Sequence, residues 1–155
     1  MDAAEPAPAS AMPPALQVLH PGDVAWGRRG DCLQTLLGSC VAVLLADPRR
    51  TVGAMCHVVH AGTDTTSLPR LYALLRGQGI DPHRCDAWMI GGGNMFPTRF
   101  PHDHVGQANA RLLRQALHAD GIRIEGEDLG GAGYRRVGWT IGAEPPRVTA
   151  VALSE

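Results

Sequence analysis

The sequence predicts one mixed domain of α/β or α+β class, in which strands outnumber helices. Three observations carry this expectation. Two apolar runs, 40–46 (CVAVLLA) and 51–58 (TVGAMCHV), flank Asp47-Pro48-Arg49-Arg50 and read as an antiparallel hairpin around a four-residue loop. Pro at the second turn position presets φ, and Asp at the first can bond the turn backbone. One segment, from about Gly106 to Ala119, has helical spacing: Ala110, Leu113, Ala116 and Leu117 share a side opposite the arginines. The remaining apolar runs are short, separated by Gly, Pro and Asp, and show no internal repeat.

Taken in order, residues 1–15 are Ala/Pro-rich and aperiodic, a tail expected to be disordered, and 16–155 form a single domain. Leu16 to Leu19 starts the fold as a short strand. His20-Pro21-Gly22-Asp23 turns the chain, and Gly27 to Gly30 turns it again. After the hairpin, a loop from Ala61 to Ser67 leads to a helix from about Pro69 to Arg76, with Pro in its first turn and Gly77 beyond its end. Residues 85–90 (CDAWMI) are a strand running into Gly91-Gly92-Gly93-Asn94-Met95-Phe96. Asp120-Gly121 ends the long helix. Ile122 to Glu125 forms a strand, 127–136 carries turn signals, and Val137 to Ile141 and Arg147 to Val151 close the domain.

Composition bounds the function. A chain of 155 residues can bury a core without disulfides or metals. The 45% hydrophobic and 19% charged fractions are those of a globular protein. A formal charge of −1 gives no general attraction to nucleic acid or anionic membrane. Cys32, Cys40, Cys56 and Cys85 are irregularly spaced with no Cys-x-x-Cys pair, so neither a zinc ribbon nor a thioredoxin motif is expected. No run approaches the roughly 18 to 20 apolar residues of a membrane span, and the N-terminus lacks the features of a signal peptide. The expectation is a cytoplasmic, monomeric protein with reduced thiols and no cofactor.

The chemistry concentrates at Cys40 and His57. With Ala46 placed opposite Thr51, Cys40 falls directly opposite His57 on one face of the hairpin, while Cys56 points to the other. Opposed Cβ atoms lie roughly 4.5–5.5 Å apart, so an imidazole reaches a thiol. A thiolate is the nucleophile; an adjacent imidazole takes the thiol proton, holds the ion pair and later protonates a departing amine. Gly38 permits a tight bend ahead of Cys40, which would turn the Ser39 and Cys40 amides toward an oxyanion. On residue types alone, two unrelated buried residues are the competing reading. Gly91-Gly92-Gly93-Asn94 lacks both the P-loop and the dinucleotide pattern and reads as a tight turn against the hairpin, with Asn94 a candidate for positioning a substrate amide. His102-x-His104, with His83 and Cys85 earlier, gives no complete set of four metal ligands.

Four phrases in series resemble the CheD family of chemoreceptor glutamine deamidases: Leu37-Gly38-Ser39-Cys40-Val41-Ala42-Val43 with Gly53-Ala54-Met55-Cys56-His57; Gly91 to Phe96; Gly106 with Asn109; and Glu127-Asp128-Leu129-Gly130-Gly131 with Arg135-Arg136-Val137. The resemblance spans about residues 16 to 151. It implies an α/β layered sandwich of mixed or antiparallel sheet and helices, with a catalytic β-hairpin. It also implies a protein-glutamine deamidase that uses a Cys-His pair and a nearby Thr. Carried over by position, Cys40 is the nucleophile, His57 the general base and acid, and Thr35 the third member. Ser39 and Asn94 are candidates for oxyanion or substrate binding. The implied partners are the cytoplasmic helices of methyl-accepting chemotaxis receptors, with a CheC-type phosphatase as a further one. Two alternatives stand beside it: a cysteine amidohydrolase acting on another amide, and a receptor- or CheC-binding module with secondary or lost catalysis. The sequence departs from the family after its histidine, where Val59-His60-Ala61 replaces a Leu-Pro corner.

Overall fold

The computed structural model describes residues 13–153; most of the Ala/Pro-rich tail, residues 1–12, lies outside them. At the near end of that tail, Ala15 is already bonded, donating to the Asp31 carboxylate (2.9 Å) and accepting from the Cys32 N–H (2.9 Å). The elements follow as β1 (Leu16–Leu19), β2 (Val24–Arg28), β3 (Cys32–Leu37), β4 (Val41–Ala46), β5 (Val52–Val58), α1 (Ser67–Gly77), β6 (Asp86–Gly91), α2 (Val105–Ala119), β7 (Arg123–Leu129), β8 (Tyr134–Thr140) and β9 (Arg147–Val151). A single 3₁₀ turn, Pro82–Arg84, precedes β6.

The strands form two sheets, one of order β1-β3-β8-β9 and one of order β2-β5-β4-β6-β7. Among the described strands, β1–β3 and β6–β7 pair in parallel and the others antiparallel. The five-stranded sheet is the middle of three layers. Its Val41, Val43, Leu45, Val52, Ala54, Cys56 and Val58 face Leu71 and Leu75 of α1 and Leu113 and Leu117 of α2. The alternate residues Ala42, Leu44, Ala46 and Met55 face Leu33, Leu37, Val137 and Trp139 of the other sheet. This explains why β4 and β5 are apolar at nearly every position: both faces are covered, so no polar side is required. The α/β layered sandwich expected from the sequence is the fold observed.

Two strands were not expected. The Gly27-Arg28-Arg29-Gly30 segment reads as a turn, yet Val24–Arg28 is the edge strand β2, paired with Val52–Cys56 of β5. The turn itself is confined to the next residues, where the Asp31 carboxylate accepts from the Arg28 N–H (2.8 Å). β3 places Leu33, Thr35 and Leu37 inward at strand spacing, and Thr35 interrupts the apolar signal.

The hairpin also differs in register. Ala46 pairs with Gly53, not Thr51, and His57 pairs with Ala42, not Cys40. The cause is Asp47. Its carboxylate accepts from the Thr51 N–H (2.7 Å), the Thr51 hydroxyl (2.6 Å) and the Val52 N–H (2.9 Å), which extends the loop. Arg50 enters the left-handed region (φ 57°) to complete it. Because the slip is by two residues, the faces are unchanged, and Cys40 remains on the same face as His57.

Candidate active site

The site lies between the two sheets, at the open end of the β4–β5 hairpin. Thr35 enters from β3 in one sheet and His57 from β5 in the other. Both are buried, and Thr35 Oγ1 lies 2.8 Å from His57 Nδ1. The same hydroxyl lies 2.9 Å from the Leu19 carbonyl oxygen, which can only accept. The one hydroxyl proton therefore goes to Leu19, and Nδ1–H donates to Thr35 Oγ1. That fixes the imidazole as the Nδ1–H tautomer and leaves the lone pair on Nε2. Among the described residues, Nε2 of His57 is the buried side-chain polar atom without a partner.

The backbone holds the ring as well. The His57 N–H donates to the Asp23 carbonyl (3.0 Å), and its own carbonyl accepts from Gly22 N–H (2.9 Å). Burial pushes the His57 pKa below its ordinary 6.5; Asp23 opposes this and His20 adds to it. That shift favours the neutral imidazole.

Cys40 is half-buried, immediately ahead of β4. Since Ala42 stands opposite His57, Cys40, just ahead of β4, is the diagonal position on that face; no hydrogen bond joins its thiol to the imidazole in this structure. Burial raises its pKa above 9.0, partly offset by its own backbone N–H. The two shifts run against a preformed thiolate–imidazolium pair.

The bend before Cys40 is held from outside the hairpin. Gly92 N–H donates to the Cys40 carbonyl and Gly93 N–H to the Gly38 carbonyl, each at 2.9 Å. Asn109 Nδ2, from α2, donates to the Ser39 carbonyl (3.0 Å) and to the Val59 carbonyl (2.8 Å), while its Oδ1 accepts from Ala61 N–H (2.8 Å). These approaches leave no space for a side chain on the glycines. A Cβ on Gly91, at φ 120°, would sit 2.2 Å from the Cys40 carbonyl oxygen, and one on Gly106 would sit 2.4 Å from Gly92.

Beside Ser39 opens a groove of about 300 Å³, with Met95, Phe96, Phe100 and Val105 on its walls. Phe96, Phe100 and Val105 are exposed at its rim. Asn94 lines it too, but its amide is engaged in the loop: Nδ2 donates to the Phe100 carbonyl (2.6 Å), and Oδ1 accepts from Phe96 N–H (3.0 Å). Its observed contacts shape the rim. His104 begins α2, its Nδ1 accepting from Gln107 N–H (3.2 Å), and Gln107 answers by accepting from Asp103 N–H (3.0 Å).

A family model described as CheD chemotactic sensory transduction matches residues 63–143, just over half of the chain. The chain belongs to the CheD family. The matched segment contains the Gly91–Asn94 turn, Gly106 and Asn109, and begins after Cys40 and His57. Among curated relatives, a protein of Jannaschia sp. (strain CCS1) is 33% identical over 77% of this chain and 72% of its own length. Relatives from Pseudomonas fluorescens (strain SBW25), 31% identical, and Methanococcus vannielii, also 31% identical, are covered over 76% and 82% of their lengths. All three are named as probable chemoreceptor glutamine deamidases. The solved structure of Neisseria meningitidis protein NMB0706 aligns with a TM-score of 0.46 and 18% identity, over 79% of this chain and 64% of that one. That similarity is too slight to add to the argument.

In this CheD-family chain the segment that replaces the Leu-Pro corner is well held, since Asn109 bonds both Val59 and Ala61. Asn109 enters the sequence reading only as part of a motif; its contacts with Ser39 and Val59 cross 70 and 50 residues, which no local pattern reveals. No described helix is long and apolar enough to cross a membrane.

Proposed function

We propose that this CheD-family protein is a protein-glutamine glutaminase, converting glutamines of chemotaxis receptors to glutamate through a cysteine thioester. One observation supports it above the others: a buried histidine, fixed as the Nδ1–H tautomer by Thr35, keeps an unpartnered Nε2 on the face that carries Cys40.

The glutamine side chain enters the groove beside Ser39, and the exposed Phe96, Phe100 and Val105 offer an apolar landing for an amphipathic receptor helix. The Cys40 Sγ attacks the carboxamide carbon as Nε2 takes the thiol proton. Because the thiol is pushed up and the imidazole down, this transfer is placed together with the attack. The imidazolium, steadied by Thr35, returns the proton to the departing nitrogen; the C–N bond breaks and ammonia leaves. Nε2 then deprotonates a water that attacks the thioester, the C–S bond breaks, and the thiol regains its proton. A CheC-type phosphatase would meet the same exposed rim.

The test is incubation of a receptor cytoplasmic fragment with the protein and with Cys40→Ala, followed by mass spectrometry. Gln-to-Glu conversion is expected with the wild type alone, and in heavy-oxygen water the new carboxylate should carry the label. Conversion by both proteins, or by neither, defeats the proposal.

A further inference from the structure

We infer that Asn109 is a positioning residue for the acylation step: it holds the Ser39–Cys40 peptide so that the neighbouring N–H groups face the oxyanion. The inference rests on the proposed Cys40 chemistry and adds a residue whose side-chain hydrogen bonds go to Ser39, Val59 and Ala61.

The carbonyls of Gly38, Ser39 and Cys40 are each held, by Gly93 N–H, Asn109 Nδ2 and Gly92 N–H in turn. In a trans peptide the C=O and N–H point in opposite directions. Fixing the Gly38 carbonyl therefore aims the Ser39 N–H the other way, and fixing the Ser39 carbonyl does the same for the Cys40 N–H. Among the described residues, neither of these two N–H groups donates to a backbone or side-chain partner of another residue. The Cys40 N–H belongs to the same residue as the sulfur, next to where a carbonyl under attack would develop charge on its oxygen. Two amides beside a cysteine, neither donating to another residue, are the elements of an oxyanion hole.

Of the three clamps, two are backbone groups of the glycine turn, and only Asn109 acts through a side chain. Its amide also joins the two arms of the site, the Ser39 carbonyl ahead of the nucleophile and the Val59 carbonyl after the base. Oδ1 meanwhile takes the Ala61 N–H. Only a carboxamide supplies two donors and an acceptor in so short a group; Asp would present oxygens to two carbonyls. The three-residue spacing from Gly106 has the same origin. Gly106 lets the start of α2 abut Gly92, and one turn later Asn109 reaches Ser39.

The experiment compares two reactions at the same sulfur in wild type, Asn109→Asp and Asn109→Ala, with Cys40→Ala to identify the Cys40-dependent part. p-Nitrophenyl acetate is attacked at its carbonyl: the S–C bond forms, charge gathers on oxygen, and the ester C–O bond breaks to release nitrophenolate. Exchange with dithiodipyridine attacks a sulfur and forms no oxyanion. Asn109→Asp should slow the Cys40-dependent nitrophenolate burst by about tenfold to a hundredfold. The disulfide exchange rate should stay within about twofold, since it follows thiolate character and access. If both rates fall together, or neither falls, the positioning role is overturned and the nucleophile stands. If wild type gives no Cys40-dependent burst, the nucleophile itself fails.

A second measurement needs no variant. A trifluoromethyl ketone forms an ionised hemithioketal on a cysteine nucleophile. Its addition to the unmodified protein should move the Ser39 and Cys40 amide proton resonances downfield. Formation of the adduct without that shift overturns the inference, whatever the stability of the Asn109 variants.

Discussion

The two ends of the β4–β5 hairpin are built by different means. At the closed end, Asp47 takes three hydrogen bonds from residues four and five positions away, and Arg50 adds an ion pair to Asp86 (2.8 Å). At the open end, Ser39, Cys40 and Val59 are held by Gly92, Gly93 and Asn109, residues distant in sequence. The closed end sets the register of the strands. The open end aims the groups to which the proposed chemistry is assigned. A perturbation of the first should therefore cost stability and leave chemistry intact, and substitution of Cys40 at the second should cost chemistry above all.

The sharpest break in the comparison is at the proposed nucleophile and base. Cys40→Ser and His57→Gln should each lower receptor deamidation by about 10³-fold or more, as removal of a member of a nucleophile–base unit does. Melting temperatures should stay close to wild type. A next, smaller loss belongs to Thr35→Val, which removes the acceptor for Nδ1–H; kcat should fall by about 10²-fold, with Thr35→Ser restoring most of it. Full activity in Thr35→Val would show that the tautomer needs no holding.

The pH profile sharpens the same point. A base with a pKa below 6.5 stays deprotonated in mildly acidic solution, so the acidic limb of kcat/KM should lie below 6.5. Alkylation of Cys40 by iodoacetamide should instead climb toward alkaline pH, because its thiol lies above 9.0. A plateau of fast alkylation at acidic pH would reveal a preformed ion pair and contradict both shifts.

The smallest effect on activity is expected at the closed end. Asp47→Ala should destabilise the fold by about 1–3 kcal/mol through orphaned donors, read as a lower midpoint in urea, with kcat nearly unchanged. Burial alone would raise the Asp47 pKa, but bonds from Thr51 and Val52 outweigh it and hold the carboxyl below 3.8. A carboxyl depressed by folding stabilises the protein above its unfolded pKa and loses that contribution as pH falls through the folded one. The difference between wild type and Asp47→Ala should therefore shrink below pH 3.8. A persistent difference there would assign the effect to packing.

Much of the fold was legible because local signals and burial agree. The apolar hairpin arms, the stripe of α2 and the Gly91–Gly93 turn all read correctly from residue types. The misreadings have physical causes. β2 carries Gly27 and Arg28, which resemble a turn, and is a strand because β5 offers it a free edge. The hairpin loop looked four residues long, yet the Asp47 carboxylate reached farther along the chain than the Asp-Pro pattern indicates. Asn94, a candidate for positioning a substrate amide, has its own amide bonded to Phe96 and Phe100 across its loop, partners no local pattern indicates.

Residue chemistry along the chain determined which groups could react: a cysteine behind a Gly-Ser bend and a histidine on the returning strand, on one face whatever the even slip in register. The three-layer stacking decided what they can do. It buries His57 against Thr35, which assigns the ring's proton, and brings α2 against the glycine turn, which sets the direction of the Ser39–Cys40 peptide. Tautomers and peptide orientations depend on partners tens of residues away. Only packing of the sheets and α2 brings those partners within hydrogen-bond distance.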